Sequence, residues 1–243
     1  MNKKYTYVWV SLIVLIFGII VVPRIVDTVS SGSIVENDRL NNSNANSSQK
    51  LAYILLDGKR RKVPLFEFIN QDSVLVSDKD YLGKVYVVDF FFTRCPSICP
   101  VMTTNLVSVQ NHFIGEKDFA IASFSITPDF DTPAVLREYV EKYEVNNENW
   151  NLMTGDHDSI YQLANAGFNI FAAEMPDVPG GFEHSGLFAL VDKDGYLRSR
   201  IDEFGNPIVY YRGAILEEKG ANDQGETEEI GILKEDIKKL LEE

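Results

Sequence analysis

The chain has only two cysteines, Cys95 and Cys99, and only three histidines, His112, His157 and His184, in 243 residues. Two thiols permit a single disulfide at most, and no second cysteine pair exists for a closed four-ligand zinc site. No glycine-rich loop follows an apolar run, so the usual phosphate cradle is missing. No Ser-His-Asp set stands out for nucleophilic catalysis. Positive charge is also scarce: 23 Lys and Arg face 36 Asp and Glu, a formal net charge of −13. That balance argues against nucleic acid, and against an anionic membrane surface, as partners. It suits a cationic metal or a basic patch on another protein. No internal repeat is found.

What is present begins with a long uncharged run. Lys3-Lys4 precede Tyr5 to Val22, eighteen uncharged and mostly apolar residues, and Pro23-Arg24 close it. A membrane-spanning helix needs about 17–25 such residues. The two lysines predict a cytoplasmic N-terminus, with the body of the protein on the periplasmic or extracytoplasmic side of the cell (inner) membrane as a single-pass protein. A cleaved signal peptide is the competing reading. Its apolar core would be shorter and followed by a small-residue cleavage site, which Val22-Pro23-Arg24-Ile25 does not offer. No cysteine follows the run that could carry a lipid. Ser30 to Gln49 is rich in Ser and Asn and too poor in apolar residues to offset ordering entropy, so it reads as a flexible tether. The expected layout is therefore residues 1–24 as N-terminus and anchor, 25–50 as tether, and 51–243 as one domain large enough for a sizeable core.

Within that domain, Val63 to Ile69 reads as a short first strand. Lys84 to Phe92 is nearly continuous apolar sequence, as in a strand covered on both faces. From Cys95 the pattern turns helical, with Met102, Leu106, Val109 and Phe113 as one stripe and the cysteines on its N-terminal extension. Phe119 to Ile126 reads as a second strand, and Asp131-Thr132-Pro133 as a helix start with a capping side chain and a first-turn proline. Trp150 to Met153 is a strand, and Asp156 caps a helix through Ala166. Pro176 to His184 reads as a loop, Leu187 to Val191 and Tyr196 to Ile201 as a hairpin, and Glu229 to Leu241 as a closing helix. Asp202 to Thr227 is irregular. The fold class is α/β: a central mixed sheet flanked by helices.

The chemistry centres on Thr93-Arg94-Cys95-Pro96-Ser97-Ile98-Cys99-Pro100. Cysteines four apart at a strand-to-helix junction project from one helical face, and the unpaired N–H groups there favour thiolates. Such a pair can bind a soft metal or oxidise to a disulfide; a purely structural bridge is the bland alternative. Three histidines compete to be a third ligand. His184 lies just before the strand Leu187 to Val191, at the sheet edge where the cysteine loop emerges. His112 is about three turns along the helix, too far away, and His157 suits an exposed or capping role. Two thiolates and one imidazole form a trigonal soft site suited to Cu(I), whereas Zn(II) usually takes a fourth ligand. Asp129 and Asp131 flank Phe130 near a helix start, where capping competes with a docking or catalytic role. Asp192-Lys193-Asp194-Gly195 reads as a hairpin turn rather than a calcium loop.

The block Thr-x-Cys-Pro-x-x-Cys-Pro over 93–100, with Glu183-His184-Ser185 before a strand ending Val191-Asp192-Lys193-Asp194-Gly195, resembles the Sco/SenC copper chaperones of cytochrome c oxidase assembly. The resemblance runs from about Val63 to Ile201. It implies a thioredoxin-like fold on one membrane anchor, with Cys95, Cys99 and His184 binding copper, as Cu(I) or Cu(II), for delivery to the binuclear site of the oxidase's copper-bearing subunit. Other copper chaperones are implied as partners. It implies a metallochaperone rather than an enzyme; a thiol–disulfide oxidoreductase using Cys95 and Cys99 as a redox pair is the alternative. The family's Asp-Pro-x-x-Asp segment reads Thr127-Pro128-Asp129-Phe130-Asp131 here, with the first acid replaced.

Overall fold

The structure, a computed structural model, describes residues 12, 15–17, 19 and 50–243, apart from 176, 178, 179 and 203–205. It divides into two units, residues 1–42 and 43–243. Of the first, Leu12, Leu15, Ile16, Phe17 and Ile19 are helical and exposed. Most of the Tyr5 to Val22 run, and the tether, lie outside the described residues. Among the described residues no helix is long and apolar enough to cross a membrane.

The second unit runs β1 (Ala52–Tyr53), β2 (Leu55–Leu56), β3 (Lys59–Arg60), β4 (Glu67–Asn70), β5 (Leu75–Ser77), β6 (Val85–Phe91), α1 (Ile98–His112), β7 (Phe119–Ser125), α2 (Pro133–Lys142), β8 (Trp150–Thr154) and α3 (His157–Gln162). A π-helical turn, Leu163–Phe168, extends α3. Then come β9 (Ala172–Glu174), β10 (Phe182–His184), β11 (Leu187–Val191), β12 (Leu197–Ser199), β13 (Tyr211–Arg212) and α4 (Ile230–Glu242). The main sheet has the order β1-β12-β11-β6-β7-β8-β4-β5, with β13 also paired to β11. Strands β6, β7 and β8 are parallel, and β11 and β4 flank them antiparallel.

Sequence explains the centre of this sheet. Every residue of β6 and of β7 is buried, as uninterrupted apolar strands require when both faces are covered. The crossovers through α1 and α2 step the same way across the sheet, so their common hand puts both helices on one face. Neighbouring side chains on β6 report the two layers: Phe91 packs on Tyr139 of α2, while Phe90 packs on Phe168 beyond α3. Thr132 caps α2 through the Val135 N–H, with Pro133 next, and Asp156 caps α3 through the Ser159 N–H. Ile230, Leu233, Ile237 and Leu240 are buried along α4, as their spacing predicts.

Three expectations need correction. The strand expected over Val63 to Ile69 is β4, Glu67–Asn70, and three short strands precede it; Pro64 lacks an N–H and cannot join a ladder there. Phe182–His184 is strand β10, paired with β9, rather than loop. The stretch from Asp202 to Thr227 is not wholly irregular, because Tyr211–Arg212 pairs with Leu187 and Phe188.

One buried acid has a consequence for stability. Asp89 on β6 accepts a hydrogen bond from Ser123, whose hydroxyl also takes the Trp150 indole N–H. Burial pushes its carboxyl up to about 7, with the Ser123 bond opposing. Between the ordinary carboxylate value near 4 and that value, the folded protein holds a proton that the unfolded chain has released. Stability therefore falls as pH rises through this window and levels off above it. Asp89→Asn keeps the acceptor but removes the titration. Its stability relative to wild type should rise on the order of 4 kcal/mol between pH 4 and 8, read from urea denaturation at each pH. A constant difference across that range would refute the assignment.

Candidate metal centre

Strand β6 ends beneath the thiol loop, and the Cys95 N–H closes a turn onto the Phe92 carbonyl. Cys95 lies before α1, not on its face as the spacing suggests. The helix begins at Ile98 after Ser97, because Pro96 disfavours helical conformation at the residue before it. Cys99 sits in the first turn, and its N–H donates to the Cys95 sulfur at 3.4 Å. A backbone donor of the helix N-terminus thus points at a thiol, as expected for a thiolate-favouring junction. Thr103 anchors the turn by donating to the Cys99 carbonyl at 2.9 Å, and its hydroxyl lies 2.7 Å from that of Tyr139 on α2.

His184 closes the cluster from the other side. It ends β10, packs edge-on against Phe92, and places Nε2 2.9 Å from the Cys99 sulfur. One donor atom from each of Cys95, Cys99 and His184 lies within 4.8 Å of the others, and all three residues are buried. Both cysteines are free thiols. The Cys95 thiol is held far below its ordinary value, foremost by a hydrogen bond from Cys99 and then by His184 and backbone N–H groups, against the effect of burial. Burial pushes the Cys99 thiol up, and its bond to Cys95 adds to this. The two shifts run in opposite directions, so the thiolate is favoured at Cys95 rather than at Cys99. Two soft sulfurs and one imidazole, dry and convergent, are a donor set that fits a soft, low-coordinate metal ion.

His112 and His157 stand apart from this cluster. His112 ends α1 against Phe113. His157 bonds Asp158 and Glu174, which raise its pKa, Asp158 first. Asp129 is exposed. Asp131 is a different matter, and the sequence reading missed its role. It is fully buried, and its carboxylate accepts from the Thr93 N–H (3.1 Å) and hydroxyl (2.5 Å), the Ser125 hydroxyl (2.5 Å) and the Thr127 hydroxyl (2.9 Å). It ties the start of the thiol loop to the end of β7. The available signal was three short hydroxyl residues, Thr93, Ser125 and Thr127, clustered at two adjacent strand ends. Beside it, the Arg94 guanidinium stacks 3.5 Å over the exposed Phe130 ring.

The fold and site together define a class: a thioredoxin-like α/β domain with two thiols at a strand-to-helix junction and an imidazole brought in by a distant strand. The chain belongs to the SCO1/SenC family, whose model matches residues 56–213. An SCO1 protein homolog of Bacillus subtilis is 34% identical over 146 residues, 57% of this chain and 75% of the relative. Among solved structures, BsSco, described as a member of the Sco family of cytochrome c oxidase assembly proteins with a disulfide switch, is 27% identical with a TM-score of 0.61. That match covers 79% of this chain and 98% of BsSco. Bradyrhizobium japonicum ScoI, solved with copper bound, shares the fold at 23% identity and a TM-score of 0.51, covering 60% of this chain and 92% of ScoI.

Proposed function

We propose that this chain is a copper chaperone of cytochrome c oxidase assembly, in which Cys95, Cys99 and His184 hold a copper ion as cargo. The recipient is the binuclear copper site of the oxidase's copper-bearing subunit, and other copper chaperones are candidate donors. The observation that carries the reading is the buried convergence of two thiols and one imidazole from segments 85 residues apart. A structural disulfide needs no imidazole, and a zinc site of this size lacks its usual fourth ligand. Family membership supplies the oxidase setting. The reduced protein, loaded anaerobically with Cu(I), is expected to retain one copper per chain through gel filtration. Retention of none overturns the proposal.

A second reading, a thiol–disulfide reductant for the oxidase copper site, is favoured by the thiolate character of Cys95 beside the Cys99 thiol. Exchange needs a thiolate and a second sulfur but no imidazole. His184→Ala should keep most disulfide exchange yet fail to support oxidase assembly in cells under limiting copper. Full oxidase activity in that variant would put the reductant in place of the chaperone.

The layout proposed for both readings is an anchor in residues 1–24, a tether over 25–50 and a copper-binding domain over 51–243, outside the cell membrane. Protease added to intact spheroplasts should then release the domain, and a protected domain would reverse the orientation.

A further inference from the structure

The stretch after β12 has no part in the ligand set, yet it reaches both halves of the cluster. Gly213 donates its N–H to the Gly186 carbonyl at 2.8 Å, two residues beyond His184. Strand β13, just before it, pairs with Leu187 and Phe188. On the other side, Asn105 of α1 spends its whole carboxamide on the same segment. Its NH2 donates to the carbonyls of Gly213 (2.9 Å) and Ile215 (2.7 Å), and its oxygen accepts the Glu217 N–H at 3.1 Å. Glu217 is fixed in turn by the Ser108 hydroxyl (2.6 Å) and by Lys234 of α4 (2.7 Å).

Between these ties the packing is close. Gly186 has φ +65°, and a Cβ there would lie 3.1 Å from the Ala214 Cβ and 3.2 Å from the Ile98 Cδ1, next to Cys99. Asn105 is a poor helix former buried at a position where an apolar residue would serve α1 better. Its presence is accounted for by the strap it holds. His184 itself ends a two-stranded ribbon outside the main sheet. Its placement against Cys99 depends on what grips the chain at Gly186.

We propose that residues 211–217 form a strap, clamped by Asn105, that fixes the His184 imidazole over the Cys99 sulfur; Asn105 is a positioning residue for the metal centre. The proposal rests on the copper reading for its purpose but not for its geometry. Outer partners that orient a ligand typically alter metal affinity about 10–100-fold. Loss of the clamp lets the imidazole leave Cys99 while the thiol loop, held separately by Asp131, stays in place.

The test uses the full chain with Asn105→Ala and two readouts. In metal-free protein, alkylation is followed for each thiol alone, in Cys95→Ser and Cys99→Ser backgrounds. Asn105→Ala should speed Cys99 modification about tenfold through local opening and change Cys95 modification much less, since His184 is only a secondary partner of that thiol. In the Cu(I) adduct, X-ray absorption should lose the imidazole contribution, and transfer to a competing chelator should quicken about tenfold. Unchanged Cys99 alkylation, or equal acceleration of both thiols, overturns the strap. Selective Cys99 exposure in a protein whose wild type takes up no copper keeps the strap and overturns the copper reading. Should Asn105→Ala not fold, Glu217→Ala, at the partly exposed end of the strap, gives the same selectivity with a smaller effect; its absence there overturns the proposal equally.

Discussion

Replacing both thiols, Cys95→Ala with Cys99→Ala, is expected to abolish copper retention, and either single replacement to weaken it about a thousandfold. The magnitude is scaled from structural zinc sites, whose roughly 10–16 kcal/mol shared over four ligands is about 2.5–4 kcal/mol each. The loss here falls at the upper end, because two remaining donors leave the ion open to solvent and competing thiols. His184→Ala should cost less, because thiolates are the ligands that select a soft ion, and the two sulfurs remain together at the helix start. The three variants should thus rank with the cysteines more severe than the histidine, measured by competition with a Cu(I) chelator under anaerobic reduction. Wild-type copper retention in the double cysteine variant would remove the thiols from the site, and with them the proposed function.

The parts of this molecule that were legible in the sequence are those with dense local signals. Strand β6 is seven buried residues in a row, and α1 carries a stripe, Met102, Leu106 and Val109, that is buried throughout. The thiol pair could be read because its motif is contiguous. His184 lies just before the strand Leu187–Val191, which makes convergence with the thiol loop feasible, but the family resemblance is what singles it out from the other histidines. What was not legible depends on contacts between distant segments. Strand β10 is three residues paired only with β9, too short for periodicity to show. The position of Cys95 outside α1 follows from Pro96, a local effect that the continuous apolar stripe masks. Asn105 and Asp131 look, in sequence, like a solvated helix residue and a helix cap. Asn105's partner Gly213 lies 108 residues away, and Thr93, which ties Asp131 to the thiol loop, lies 38 away; only folding brings these together.

Asp131→Ala is expected to be among the most destabilising single changes in the domain, by about 3–5 kcal/mol. Its carboxylate accepts four hydrogen bonds in a fully buried setting. Bonds to a charged acceptor contribute about 1.5–3 kcal/mol each, and donors left unsatisfied by truncation add their own desolvation cost. Three of the four donors are hydroxyls that can turn toward other acceptors, which keeps the total below the simple sum. The fourth, the Thr93 backbone N–H, cannot turn. It lies two residues before Cys95, so its release loosens the thiol loop itself. Asp131→Asn keeps the volume and one acceptor oxygen, and one hydroxyl can rotate to accept from the new NH2. It should cost about half as much. Urea unfolding midpoints of the two variants therefore order as wild type, Asn, Ala. In the Ala variant copper release should quicken even at urea concentrations where the domain stays folded. Were Asp131→Ala to lie within about 1 kcal/mol of wild type, its four hydrogen bonds would contribute little, and the thiol loop would be held by the turn onto Phe92.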